Sequence, residues 1–171
     1  MKTLILLTAL AIGCGAAPET AEPAAYVSPT TFAPAEGLVA YTEAATVRVA
    51  RATGRDDVAV EPDGIPVLVQ DYLHDKDGND ACGLTVGKAY PDALDVVFDL
   101  TVLIASAPPD GCPPVHVTVL HEMIHALSPG SEHSEAGVYE AHGAGSQLEE
   151  TSLEALCGGF ECKTFVPERS R

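Results

Sequence analysis

Val115-His-Val-Thr-Val-Leu-His-Glu-Met-Ile-His-Ala-Leu127, followed by Ser128-Pro-Gly-Ser-Glu-His133, is the stretch on which the reading of this chain turns. Val117, Leu120, Ile124 and Leu127 recur at helical spacing with Met123 and Ala126 beside them, a stripe that needs a core to cover it. Thr118, His121, His125 and Ser128 form a second, polar stripe on the same cylinder. Pro113-Pro114 suits a helix start and Pro129-Gly130 its stop. Within the helix, His121-Glu122-Met123-Ile124-His125 is an H-E-x-x-H pattern. Positions i and i+4 share a face one turn apart, so both imidazoles can converge on one ion. Glu122 can then touch a water on that ion without ligating it. Two His ligands beside a carboxylate base are the arrangement of a zinc hydrolase.

A zinc ion that keeps one position open needs a third protein ligand. His133 is the first candidate, because imidazole is a favoured ligand and the loop from His125 is short. Gly130 can supply the turn between them, since glycine accepts φ > 0 without steric cost. Glu149, Glu150 or Glu154 on a later helix is the second ligand choice, and His142 is a further nitrogen within reach in sequence.

These residues resemble the signature of the metzincin proteases, nearest the matrixin-like branch, whose pattern is H-E-x-x-H-x-x-G-x-x-H. His121, Glu122, His125, His133 and Ser134 match its ligands, base and following Ser. The family's Gly after the helix is Ser128 here, and two extra residues separate the second His from the third. The family also carries a Met-containing turn under the metal. This chain has only Met1 and Met123, and Gly137-Val138-Tyr139-Glu140 stands where that turn would fall. Tyr139 then either packs under the site or reaches the metal or the transition-state oxygen. The resemblance implies a zincin-like α+β single domain: a small twisted mixed sheet with an N-terminal helix, an active-site helix and a C-terminal helix. It implies a zinc endopeptidase acting on protein or peptide substrates, with Glu122 as general base. It also implies a cleft lined by the strand before the active-site helix, whose edge a substrate backbone can extend. The alternative is a catalytically inactive zinc-binding or protein-binding domain that keeps the ion as a staple.

Outward from the motif, residues 1–13 combine Lys2 with an apolar run, Leu4 to Ile12, too short to span a bilayer. They read as a signal peptide. Leu10-Ala-Ile-Gly-Cys14 resembles a bacterial lipobox, which makes Cys14 a lipidated N-terminus. A cell-envelope protein follows, lipid-anchored to a bacterial membrane, with the outer membrane or cell surface favoured and plain secretion the alternative. Residues 14–36 are rich in Ala, Pro, Glu and Thr and read as a disordered tether. The catalytic domain is expected over 37–167, and 168–171 as a tail. Inside the domain, Leu38 to Thr53 has helical periodicity, with Tyr41, Ala45, Val49 and Ala52 on one face and Gly54 as its stop. Val58–Val60 and Ile65–Val69 read as strands around a Pro62-Asp-Gly64 turn, and Leu94–Ala105 as a longer strand. Gln147–Leu156 reads as a last helix ended by Gly158-Gly159. The acidic loop from His74 to Asp80 resembles a calcium loop, but Val86 stands where an EF-hand needs Glu. Calcium is therefore a weak second cofactor, and the loop a solvated turn.

The formal net charge is −16, with no basic stripe for phosphate contacts, so nucleic acid is an unsuitable partner. Membrane contact would run through lipid alone. Cys82, Cys112, Cys157 and Cys162 are an even set in an exported chain, which argues for two disulfides. Three pairings are possible, and Cys82–Cys112 with Cys157–Cys162 is favoured.

Overall fold

The computed structural model of the chain describes residues 30–89, 97–129, 131–134, 136–139 and 145–169, with backbone alone for Lys88, Ala89, Val97, Phe98 and Tyr139. The signal segment, Cys14, Asp95, Gly130, Glu140 and His142 lie outside these residues.

The folded chain starts earlier than composition suggests. Thr31–Pro34 is strand β1, not the end of a tether, and Phe32 is fully buried in the core. One large side chain on a strand hydrogen-bonded on both sides is enough to hold it, although its neighbours are Thr, Ala and Pro. A turn of 3-10 helix (Glu36–Leu38) leads into α1 (Val39–Thr53). Strands β2 (Ala59–Val60), β3 (Ile65–Gln70), β4 (Gly83–Ala89) and β5 (Val97–Ala105) follow. After them come α2 (Val115–Leu127), a 3-10 turn (Gly137–Tyr139) and α3 (Glu150–Gly159). The sheet order is β2-β1-β3-β5-β4. All neighbours are parallel except β4, which runs antiparallel to β5 at one edge. The domain is thus a small mixed α+β fold, as expected. The strand before α2 is β5, and it is interior; the edge belongs to β4.

Helices α1 and α2 pack on each other and on the sheet. Phe32, Ile65, Val67, Val102 and Ile104 from the strands meet Val49, Val117, Leu120, Ile124 and Leu127 from the helices in one core. The apolar stripe read from α2 is buried throughout. The face read from α1 is rotated. Tyr41 is 41% exposed, and Thr42 and Thr53 are buried instead. Their hydroxyls donate to Leu38 O and Val49 O, which satisfies them inside the helix and lets a polar residue point inward. In β5, Asp99 takes a φ of 52° where the β4–β5 register shifts, as an Asp in a bulge can.

The last helix also differs from expectation. It begins at Glu150 and runs through Gly158-Gly159. A Cβ at position 159 would stand 2.2 Å from Ser128 Oγ, so this glycine admits the end of α2 and does not stop the helix. Glu168, expected in the tail, is anchored by Arg48 and by the Leu148 N–H.

Candidate metal centre

Helix α2 places His121 and His125 on one side, and the chain after it returns His133 to meet them. Nε2 of His133 lies 3.1 Å from Nε2 of His125 and 3.3 Å from Nε2 of His121. The ligand atoms of the three all fall within 4.8 Å of one another, and among the described residues they are the one such group. No carboxylate of α3 joins it. Of the competing third ligands, Glu149, Glu150 and Glu154 therefore stand apart from the cluster, and His142 is outside the described residues. Three histidines so placed can hold a metal ion.

The protonation of His121 is fixed by its surroundings. Its Nδ1 lies 2.9 Å from Val138 O. A carbonyl only accepts, so Nδ1 carries the hydrogen and Nε2 presents its lone pair to the cluster. Burial lowers the His121 pKa, and the same desolvation, with the neighbouring histidines, pushes His125 down to about 3. Both rings are neutral near pH 7, the form that binds metal.

No motif in the sequence marks Val138 as the partner of His121. Val138 sits in the 3-10 turn under α2, fully buried, with its N–H donating to Gln147 O at 2.8 Å. A main-chain carbonyl is common to every residue, so no side-chain signal marks it. Gly137 shapes the turn. Its φ is 81°, and a Cβ there would lie 2.6 Å from Ser152 Oγ and 2.9 Å from Gln147 O.

His133 is held from the α3 side. Ser131 N–H and Oγ both donate to Ser128 O, which folds the chain back just after α2. On the other side of His133, the Ser134, Thr151 and Ser152 hydroxyls all donate to Ala136 O. The start of α3 thus clamps the segment that carries the third imidazole. These hydroxyls make the longer spacing between His125 and His133 compatible with a shared centre. A groove of about 710 Å³ opens beside His133, between this segment and α3, with Glu132, Thr151, Glu154 and Ala155 in its wall.

Glu122 points elsewhere than its helix neighbours. It is 6% exposed and lies against edge strand β4, where Thr85 Oγ1 is 3.0 Å from Oε2. Burial raises its carboxyl to about 7, partly offset by the Thr85 hydrogen bond.

The acidic loop is organised by Asp75. Its carboxylate accepts from the N–H groups of Asp77 and Asn79 and from the Asn79 side chain, and His74 pairs with Asp80. Those bonds make a solvated Asx-type turn, and no metal cluster occurs there among the described residues. Cys82–Cys112 and Cys157–Cys162 are bonded, the favoured pairing, as suits an extracellular or secreted protein. No described helix is long and apolar enough to cross a membrane. No family model, curated protein or solved structure matches the chain.

Proposed function

We propose that this chain is a zinc-dependent endopeptidase of zincin-like fold, carried to the cell envelope and tethered there by lipid on Cys14. One observation carries the catalytic part: three imidazole nitrogens converge at the helix whose Glu122, next in sequence to His121, is a buried carboxyl. Zinc–imidazole bonds of about 2.0–2.1 Å at tetrahedral angles set the nitrogens about 3.3 Å apart. The spacings of 3.1 and 3.3 Å fit that ion with little adjustment. His121, His125 and His133 would hold it, with Val138 O orienting the first ring.

When bound, zinc supplies Lewis acidity toward a peptide carbonyl and toward a water molecule. Glu122 takes a proton from the attacking water and hands it to the departing amine. A carboxyl whose burial brings it to about 7 can both accept and return a proton near neutral pH. Edge strand β4 runs beside α2, and an extended peptide can add to such an edge as a further strand, which recognises a chain without reading its sequence.

The test uses the exported chain from Cys14 onward, since a fragment begun at Gly37 would lack β1. Zinc-loaded protein is expected to cut an unfolded protein, a chelator to stop it, and Glu122→Gln to lower the rate about 10²–10⁴-fold with zinc retained. Bound zinc without cleavage of unfolded proteins or a peptide library would instead favour the non-catalytic binding domain.

A further inference from the structure

The edge strand does more than flank the helix. Residues i and i+2 of a strand point to the same face, and Gly83 and Thr85 of β4 both meet Glu122. Thr85 Oγ1 lies 2.7 Å from the main-chain O of Glu122 and 3.0 Å from its Oε2. A Cβ on Gly83 would lie 2.7 Å from Glu122 Cγ and 3.0 Å from Oε1. The carboxyl is therefore held between a hydroxyl and a stretch of bare backbone.

A hydroxyl has one proton to give, and both oxygens within reach of Thr85 Oγ1 belong to Glu122, so the contact ties the side chain of Glu122 to β4. A methyl group of equal size cannot donate.

We propose that Thr85 is a positioning residue for Glu122, holding the general base in place against β4, with Gly83 as the gap that admits it. The role rests on the endopeptidase reading, and the test separates the two. Thr85→Val and Thr85→Ser are compared with wild type in the zinc-loaded chain, with zinc content, kcat and KM measured for each. Thr85→Val is expected to keep zinc and KM and to lose about 10–100-fold in kcat, since a displaced base weakens the transition state and not the bound substrate. Thr85→Ser is expected to restore most of the loss. A second readout needs no activity: unfolding of the metal-free wild type, Thr85→Val, Glu122→Ala and the double variant, where the two effects should fail to add. Wild-type kcat in Thr85→Val, equal loss in Thr85→Ser, or additive unfolding effects would each overturn the inference and leave the endopeptidase standing. Absence of cleavage by the wild type would overturn the endopeptidase, and with it the role given to Thr85.

Discussion

His133 reaches the cluster from outside the helix, and on it the difference between a metal site and a decorated helix depends. Two imidazoles one helical turn apart are a weak pair alone; the third nitrogen at 3.1 and 3.3 Å makes a chelating set. His133→Ala is expected to lower bound zinc from about one per chain to a small fraction at micromolar free zinc. Glu150→Ala, on the exposed start of α3, should leave it unchanged. Equal retention in the two variants, measured by metal analysis after gel filtration, would move the third ligand elsewhere. The pair His121 and His125 was legible in the sequence because a helix converts a spacing of four into a shared face. The place of Glu122 on that helix was legible for the same reason. Its support was not. Thr85 is far away in the chain and Val138 acts through its carbonyl, and neither contact leaves a trace in a linear pattern.

Elements were legible where a side-chain rhythm persisted. The stripe of α2 and the apolar run of β5 are such cases, and both formed near the expected places. β1 was hidden because a four-residue strand shows almost no rhythm, and Phe32 is its one large apolar residue. β4 was hidden because Gly83 and Gly87 carry no side chain to alternate, and one of those gaps is needed for Glu122. The turn Gly137–Tyr139 shows the same logic at the histidine cluster. Replacing Gly137 by Ala forces an L residue into φ 81° and drives its Cβ into Ser152 Oγ and Gln147 O. Relaxing that clash moves Val138 O away from His121 Nδ1, and loss of such an outer partner typically costs 10–100-fold in metal affinity. Gly137→Ala should therefore weaken zinc binding by about that factor while every ligand remains, a shift that competition with a chromophoric chelator would read. Unchanged affinity would show that the Val138 carbonyl does not orient the ring.

The domain is closed by covalent and ionic ties that bring distant segments to the site. Cys82–Cys112 joins the start of β4 to the loop before α2, across a separation of 30 residues. On loop entropy such a link is worth about 3.5 kcal/mol, so Cys82→Ser with Cys112→Ser should lower the urea-unfolding free energy by roughly that amount. An equal unfolding free energy would mean that the link constrains little. The C-terminal segment forms the other tie. Lys163 and Thr164 N–H groups donate to Thr53 O, and Val166 N–H to Ala52 O, capping carbonyls that the end of α1 leaves unpaired. Glu168 then accepts from Arg48 Nε at 2.8 Å and from Leu148 N–H at 2.8 Å, next to the Gln147 carbonyl that receives Val138 N–H. The Arg48 guanidinium, against the opposing cost of burial, holds the Glu168 carboxyl below its ordinary 4.5, and Leu148 N–H adds to the effect. A carboxyl depressed by folding adds stability that is present above about pH 4.5 and lost as pH falls through the lower folded value. The pair is part-exposed, with side chains 25% and 32% accessible, so solvent screening keeps its worth near about 1 kcal/mol. Glu168→Gln preserves the shape and removes the charge. It should cost about that amount in urea unfolding at pH 7. The gap from wild type should close as the pH is taken below the folded carboxyl's value, where the wild-type side chain is protonated too. A gap that persists unchanged into strong acid would assign the loss to shape or hydrogen-bond geometry, and the ionic tie between α1, the Leu148 segment and the turn beneath His121 would have to be given up.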